Sequence, residues 1–294
     1  MSDNEDFAVG FIGLGNMGAP MAQRLLDWPG GLVVCDMRPE ALQPFADGGA
    51  TPARSAAEAA ERCGVVSVVV LDDAQVRAVV TGPDGILQGA KPGTVIAVHS
   101  TIADETAVAL QAECASHGVE FVDAPISGGA PAAQRGGLAV MVGGSTEAFE
   151  KVRAPFSRFA SMLVHAGEVG AGTRMKLARN LLHFIAFTAA AESQRLAEAA
   201  GLDITELGKV VRHSDSHTGG PGSIMLRDTT EPVRPGDFWF PIFSHVRDLG
   251  EKDLSLALEL GERLGIELPL ARQALDGLGT GLGVGPGYIA KEKQ

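Results

Sequence analysis

The sequence predicts an α/β fold, a doubly wound parallel sheet, followed by an all-α domain, and three observations support this. A glycine-rich turn joins an apolar run to a helical pattern within residues 7–24. Short apolar runs then alternate with helical stretches as far as Gly167, and the pattern after that point is helical. Continuous apolar strands that alternate with helices are typical of a parallel sheet covered on both faces.

The glycine-rich turn has the spacing of a dinucleotide-binding unit. Gly13 permits a sharp turn, Gly15 leaves room for the backbone to approach a pyrophosphate, and Gly18 lets the helix pack on the strand. The start of the helix presents backbone amides and a positive dipole end to the phosphates. This pattern predicts a Rossmann-type domain, although glycine-rich turns also serve ordinary βαβ units. The predicted cofactor contacts here are Gly13, Leu14, Gly15, Asn16, Met17 and Gly18.

The second apolar run bears on the choice of cofactor. It ends in Asp36, at about the 20-residue offset of a carboxylate that accepts hydrogen bonds from ribose hydroxyls. Such a carboxylate repels a 2′-phosphate and favours NAD. Met37 and Arg38 complete the predicted contacts, and the nearby guanidinium leaves NADP as the alternative cofactor.

Length and composition limit the class of protein. A chain of 294 residues is long enough for two domains, which we place at 1–168 (dinucleotide-binding) and 169–294 (helical, for substrate binding and oligomerisation). A net charge of −12 argues against a nucleic-acid partner. The apolar runs are too short to span a membrane. The acidic start and three scattered cysteines predict a cytoplasmic protein with reduced thiols.

The alternation of elements places the ligand-binding loops. The predicted strands are 9–13, 32–36, 65–71, 95–99, 120–124, 138–142 and 163–166. The predicted helices are 16–28, 39–46, 55–62, 73–80, 103–116, 146–156, 174–200, 204–213, 248–264 and 270–278, with a long loop from 213 to 241. Ligands bind beyond the carboxyl ends of parallel strands, so the loop after the third of these strands adds Leu71, Asp72 and Gln75 to the expected cofactor contacts.

The segment 123–129 follows a strand and ends in Ser127, Gly128 and Gly129. One hydroxyl and unobstructed backbone amides suit a carboxylate or phosphate. A tight turn without a ligand explains the same residues equally well.

The long alanine-rich helix carries a candidate catalytic group. Lys176 and Asn180 lie four residues apart and share one face, which His183 continues among apolar residues. A lysine on such a face is costly to bury without a partner or a task, and its ammonium is a competent proton donor. The alternative is a solvated lysine whose stem lies along the apolar surface. We interpret the charged residues 251–253 as a solvated helix start.

Several ordered motifs together resemble the β-hydroxyacid dehydrogenase family, that of 3-hydroxyisobutyrate dehydrogenase and tartronate semialdehyde reductase. They are GFIGLGNMGAPMA at 10–22, STI at 100–102, DAPISGG at 123–129, GAGTRMKLARN at 170–180 and KDL at 252–254. The resemblance spans nearly the whole chain. It implies reversible hydride transfer between a nicotinamide and a small 3-hydroxy acid or its semialdehyde, in a homodimer or homotetramer.

The resemblance also implies roles for individual residues. Lys176 would be the general acid/base, and Asn180 would orient the substrate. Ser127, with Gly128 and Gly129, would hold the substrate carboxylate. Thr101 would lie beside the nicotinamide, and Lys252 would close over the cofactor.

The chain departs from the family pattern at four places. Arg179 stands where asparagine is common, His183 and His245 stand where apolar residues are usual, and the segment 213–217 is unfamiliar. One interpretation of these departures is a polar loop and two hydrogen-bonded histidines. The other is that His183 or His245 lines a more polar pocket, so that 3-hydroxyisobutyrate is not the substrate. No spacing supplies three metal ligands, so we expect no metal site.

Two other functions compete with the dehydrogenase. An imine reductase-like NADPH enzyme shares this architecture but usually lacks the helix lysine. A non-catalytic dinucleotide-binding interaction protein tends to lose the lysine and to gain basic arms. Lys176 and the acidic composition argue against both.

Overall fold

The computed structural model describes residues 7–227 and 229–287, apart from the side chain of Leu256. The chain divides into two compact units, Met1–Arg179 and Asn180–Gln294. The first is a sheet with helices and the second is helical, which confirms the predicted fold class. None of the described helices is long and apolar enough to cross a membrane.

The elements of the described residues follow in chain order. The strands are β1 (Ala8–Ile12), β2 (Leu32–Cys35), β3 (Thr51–Pro52), β4 (Cys63–Val68), β5 (Val95–Val98), β6 (Glu120–Asp123), β7 (Ile126–Ser127), β8 (Leu138–Gly143) and β9 (Ala160–Gly167). The α-helices are α1 (Gly18–Gln23), α2 (Pro39–Asp47), α3 (Ala56–Ala60), α4 (Asp73–Thr81), α5 (Asp104–Ala115), α6 (Gly129–Gln134), α7 (Thr146–Phe156), α8 (Ala171–Ala199), α9 (Ile204–Thr218), α10 (Trp239–Leu264) and α11 (Pro269–Gly281). Short 3₁₀ turns lie at Ile86–Gln88 and Gly220–Ile224.

The strands form one sheet in the order β3-β2-β1-β4-β5-β6-β8-β7, with β9 also paired to β8. The pairs β6–β8 and β7–β8 are antiparallel, and the other pairs are parallel. The strand order reverses direction on either side of β1, which lies between β2 and β4. Open α/β sheets bind their ligands at such a reversal, beyond the carboxyl ends of the strands.

Strand β1 shows why the sheet is covered on both faces. Val9 and Phe11 belong to one buried apolar cluster, whereas Ile12 belongs to the cluster on the opposite face. Alternate side chains of a strand point to opposite faces, so an uninterrupted apolar run supplies both clusters. Burial of Phe11 alone stabilises the fold by about 1.5–3 kcal/mol.

The long loop predicted from 213 to 241 is shorter in the structure, because helices extend into it from both sides. α9 continues to Thr218, and α10 begins at Trp239. Small polar residues compete with helical hydrogen bonds, but here the Ser216 hydroxyl donates back to the carbonyl of His213 at 2.7 Å and leaves the helix intact. The helix ends at Gly219, whose φ of 86° is left-handed.

The interpretation of residues 251–253 as a solvated helix start is also wrong in part. α10 begins twelve residues before Glu251 (251 − 239), so this residue lies inside the helix. Its carboxylate is buried and accepts a hydrogen bond from the amide of Gly287 at 2.9 Å. The sequence pattern placed the helix start too late because residues 239–247 combine aromatic, proline and histidine residues, which are weak helix formers.

Candidate active site

Five loops meet at the carboxyl edge of the sheet. They follow β1, β2, β4, β5 and β6, which pair side by side in parallel in the order β2-β1-β4-β5-β6. The predicted residues of the first unit are distributed over these loops: the glycine turn after β1, Asp36 after β2, Leu71 after β4, Thr101 after β5 and Ser127 after β6. One edge therefore presents both the expected cofactor contacts and the expected substrate loop.

The three glycines of the turn serve two different purposes. Gly13 has a φ of 93°, and a Cβ on it would overlap the carbonyl of Val69. A Cβ on Gly18 would overlap the carbonyl of Gly13, so both positions are required by packing. Gly15 is exposed, and no atom lies within 4 Å of the place a Cβ would occupy. That open space fits the close approach of a pyrophosphate.

Asp36 is held rigidly at the end of β2. Its Oδ2 accepts a hydrogen bond from the amide of Leu14 at 2.7 Å, and its Oδ1 accepts from the amide of Arg38 at 2.9 Å and from the Arg38 Nε at 3.1 Å. Burial raises the pKa of the Asp36 carboxyl, but these hydrogen bonds outweigh burial and hold the pKa below its ordinary value. An ionised carboxylate tied to the glycine turn fits the recognition of ribose hydroxyls.

The loops after β4 and β5 are joined by a residue that sequence reasoning missed. The hydroxyl of Ser100 donates to the carbonyl of Val70 at 2.6 Å and accepts from its amide at 3.0 Å. Ser100 is buried, whereas Thr101 beside it is exposed at the edge. Its sequence signal is the STI motif, in which the family resemblance implies a role for Thr101 alone.

Leu71, Asp72 and Gln75 lie together at the start of α4. Asp72 accepts a hydrogen bond from the Gln75 amide at 2.9 Å, and the Gln75 side chain accepts from the Leu71 amide at 3.0 Å. This reciprocal arrangement satisfies two amides of the helix start, as in a capping box. It fixes the backbone of the loop after β4.

The buried histidine His99, which follows β5, links β4 to the segment after β6 through two hydrogen bonds. The Nδ1 of His99 donates to the carbonyl of Ala124 at 2.8 Å, so its Nε2 accepts from the Ser67 hydroxyl at 3.0 Å. Its ring stacks on Phe11 with 6.5 Å between ring centroids. Burial lowers the pKa of His99 to about 4, so the ring is neutral at pH 7 and belongs to the core.

The segment predicted to hold a carboxylate is more ordered than a simple turn. Ser127 ends β7 and pairs with Ala139 of β8, and α6 follows directly. Gly128 and Gly129 both have positive φ, 134° and 71°. A Cβ on Gly128 would also come within 2.7 Å of the Ala132 Cβ, so glycine is required there.

Lys176 lies in the second turn of α8 and is 8% exposed. Burial lowers the pKa of its amine from the ordinary 10.5, and the positive charge of Arg179 lowers it further. A lysine with a depressed pKa exchanges a proton more readily near neutral pH than a solvated lysine does. The low exposure of Lys176 argues against the solvated alternative.

The remaining predicted residues belong to the second unit. Asn180 is its first residue, and the ring of His183 packs against Phe187 with 4.3 Å between centroids. His245 and Lys252 are exposed on α10, seven residues apart, so they lie on one side of that helix. The Lys252 amine forms an ion pair with Asp253 at 2.8 Å.

The unfamiliar segment 213–217 places two histidines on one face of α9. The rings of His213 and His217 lie 4.6 Å apart between centroids, and the Nδ1 of His217 bonds to the carbonyl of His213 at 2.8 Å. Within residues 7–227 and 229–287, no three histidine, cysteine or acidic side chains are placed to hold a metal ion.

Two family models cover most of the chain. The model described as the NAD binding domain of 6-phosphogluconate dehydrogenase matches residues 8–167. The model described as NAD-binding of NADP-dependent 3-hydroxyisobutyrate dehydrogenase matches residues 170–281. The chain belongs to the β-hydroxyacid dehydrogenase family. The resemblance carried by the sequence motifs is confirmed.

Individual relatives agree with this assignment. An oxidoreductase of Mycobacterium tuberculosis H37Rv is 61% identical over 276 residues, which are 94% of this chain and 93% of that protein. The L-threonate dehydrogenase of Cupriavidus necator is 34% identical over 90% of this chain and 87% of its own length. The crystal structure of a protein from Mycobacterium avium 104 described as an oxidoreductase superposes with a TM-score of 0.91 at 55% identity, covering 95% of this chain and 99% of that one.

This β-hydroxyacid dehydrogenase is an NAD(P)-dependent oxidoreductase that acts on hydroxyacids. When bound, NAD(P) accepts or supplies the hydride. The open space over Gly15 and the anchored carboxylate of Asp36 fit the pyrophosphate and ribose of such a cofactor. What the chain itself must add is a group that holds the substrate and a group that moves the hydroxyl proton.

Proposed function

We propose that Lys176 is the general acid/base in the reversible oxidation of a small 3-hydroxy acid to its semialdehyde. The observation that carries the proposal is a buried lysine with a depressed pKa on the helix next to the ligand-binding edge. In reduction, the Lys176 ammonium donates a proton to the substrate oxygen as that oxygen gains charge. In oxidation, the neutral amine takes the hydroxyl proton.

The other proposed roles follow the family motifs. The Ser127 hydroxyl and the amides of Gly128 and Gly129 hold the substrate carboxylate. Asn180, one helical turn after Lys176, orients the substrate oxygen. The proposed cofactor contacts are the glycine turn with Leu14, Asn16 and Met17, the segment Asp36, Met37 and Arg38, the α4 start with Leu71, Asp72 and Gln75, and finally Thr101 and Lys252. Residues 1–168 form the cofactor domain and 169–294 the helical domain in this proposal.

We propose that His183 or His245 lines a pocket for a substrate more polar than 3-hydroxyisobutyrate. Each adds a hydrogen-bonding ring where relatives of the family usually carry an apolar side chain. The similarity to an L-threonate dehydrogenase supports a hydroxyl-rich acid. A site built to hydrogen-bond a hydroxyl discriminates strongly against an analogue that lacks it.

A steady-state panel tests the proposed substrate class. It compares 3-hydroxyisobutyrate, L-threonate and L-serine, each with the oxidised nicotinamide, and tartronate semialdehyde with the reduced one. We expect one of the more polar acids to give the highest kcat/KM, by at least about tenfold over 3-hydroxyisobutyrate. A clear preference for 3-hydroxyisobutyrate would contradict the proposed polar pocket, and turnover of none of them would contradict the substrate class.

We propose NAD as the preferred cofactor, because Asp36 presents an ionised carboxylate where NADP would carry its 2′-phosphate. The kcat/KM with NAD is expected to exceed that with NADP. Asp36→Ser should lower the NAD to NADP ratio by about tenfold or more, since it removes both the ribose acceptor and the repulsion. A wild-type preference for NADP would show instead that Arg38, half-exposed beside Asp36, governs this position.

The α8 helix supports a homo-oligomer. Leu181, Phe184, Ile185 and Phe187 are exposed in the middle of this helix, within the mostly apolar stretch 181–191. A helix of that composition is normally buried. We propose that a second copy of the chain covers it. Light scattering after gel filtration is expected to give a dimer or tetramer, and Phe184→Glu should shift it toward the monomer, whereas a monomeric wild type would contradict the proposal.

The state of the three cysteines bears on the cellular location. Cys35, Cys63 and Cys114 are free and buried, and burial raises the pKa of each thiol, to about 12 for Cys63 and Cys114. Unreactive, unpaired thiols are typical of the reducing cytoplasm, where we propose that the enzyme works.

A further inference from the structure

The start of α8 is held by a carboxylate from another part of the chain. Asp123, the last residue of β6, is fully buried. Its Oδ1 accepts a hydrogen bond from the amide of Gly170 at 2.7 Å, and its Oδ2 accepts from the amide of Thr173 at 2.6 Å. Because α8 begins at Ala171, these amides belong to the capping position and the third helical residue, which are the amides that a capping box satisfies.

The backbone of the first turn of α8 lies close against the strand ends around this cap. A Cβ on Gly172 would lie 2.6 Å from the carbonyl oxygen of Asp123 and 2.9 Å from the amide of Gly143. The first turn of α8 therefore packs backbone against backbone on the ends of β6 and β8. The ion pair between Arg174 and Asp104, at 3.2 Å, adds an exposed contact that contributes little.

Asp123 connects the helix that carries Lys176 to the segment that carries Ser127. Lys176 lies three residues after Thr173 in the same helix, and Ser127 lies four residues after Asp123 in the same strand-end segment. We propose that Asp123 is a positioning residue, which sets the amine of Lys176 relative to the Ser127–Gly129 loop. The inference rests on the proposed role of Lys176.

A purely structural cap is the competing explanation, and the chain contains a matched control. Glu192 is also buried, and it accepts from the amides of Leu270 at 2.9 Å and Ala271 at 3.1 Å at the start of α11. It caps a helix that carries none of the proposed catalytic residues. Asp123→Asn and Glu192→Gln each remove one acceptor oxygen from a pair of backbone amides at a helix start, so both variants should lose stability to a similar degree.

The experiment compares Asp123→Asn with Glu192→Gln. Asparagine keeps the volume and one acceptor oxygen, so the helix start shifts without collapse. We expect Asp123→Asn to lower kcat about 10- to 100-fold, because small misplacements of a catalytic group have effects of that size. The dissociation constant of Asp123→Asn for NADH should stay within about twofold of the wild-type value. Glu192→Gln should lower the denaturation midpoint to a similar extent but keep kcat within about twofold.

The pH dependence of kcat/KM is a second measurement, which the loss of a purely structural cap would not change. We expect the Lys176 amine to be less buried in Asp123→Asn and its pKa to rise toward the ordinary value, so that the rise of kcat/KM with pH for oxidation shifts to higher pH. In a Lys176→Ala background, Asp123→Asn should cause no further loss of turnover.

The outcomes separate the two hypotheses. Wild-type kcat in folded Asp123→Asn, equal losses in Asp123→Asn and Glu192→Gln, or additive losses with Lys176→Ala would each overturn the positioning role. If Lys176→Ala lowers turnover as proposed and Asp123→Asn keeps wild-type turnover, this inference alone fails. If Lys176→Ala itself keeps turnover, the proposed function fails and the inference fails with it.

Discussion

Replacing Lys176 by alanine is expected to lower kcat about 10²- to 10⁴-fold in both directions, because the substrate oxygen then loses its proton donor and acceptor. The dissociation constant for NADH should change little, since the proposed cofactor contacts lie on the loops after β1, β2, β4 and β5 and at Lys252 on α10. Stopped-flow and steady-state assays with the best substrate of the panel measure the turnover, and fluorescence titration measures cofactor binding.

Lys151→Ala is the matched control for this substitution. Lys151 is half-buried on α7, burial lowers its pKa as well, and its amine donates to the carbonyl of Gly93 at 2.7 Å. It shares the perturbed ionisation of Lys176 but has no place in the proposed site, so its removal should keep kcat within about twofold. Equal losses in the two variants would show that the Lys176 effect is structural.

The second large effect is expected at the glycine turn. Gly15→Ala should weaken NADH binding by at least about tenfold, because the added methyl occupies the space where we place the pyrophosphate. The same change should leave stability nearly unaltered, since no atom lies within 4 Å of the new Cβ and the residue has no left-handed φ. Isothermal titration and thermal denaturation measure the two quantities.

Two other glycine substitutions serve as controls for Gly15→Ala. Gly277→Ala, at an equally open position on α11, should leave cofactor affinity unchanged. Gly18→Ala should lower both stability and affinity, because its Cβ overlaps the carbonyl of Gly13. Wild-type affinity for NADH in Gly15→Ala would place the pyrophosphate elsewhere.

The sequence predicted the fold best where a local apolar pattern matches the burial of the element in the structure. The apolar runs of β1, β2 and β5 and the glycine spacing after β1 predicted the sheet and its binding edge, because buried parallel strands are uninterrupted apolar runs. The two-residue strands β3 and β7 and the short helix α6 were missed, since elements of that length carry no periodicity.

Side-chain roles that depend on distant partners could not be predicted. Nothing near Asp123 in sequence indicates that it caps a helix 47 to 50 residues later. The same holds for Glu192, whose partners lie 78 and 79 residues away. Lys176 was recognised as a candidate by the cost of burying an ammonium on an apolar helix, but its actual burial depends on the tertiary packing of α8.

The pH dependence of kcat/KM for hydroxyacid oxidation tests the role of Lys176 most directly. Oxidation needs the neutral amine, so the rate should rise with pH and level off above the pKa of Lys176, which burial holds below 10.5. Reduction needs the ammonium, and its rate should fall as pH rises through the same pKa. We expect both limbs in the wild type and neither in Lys176→Ala. Limbs that persist unchanged in Lys176→Ala would mean that another group moves the proton.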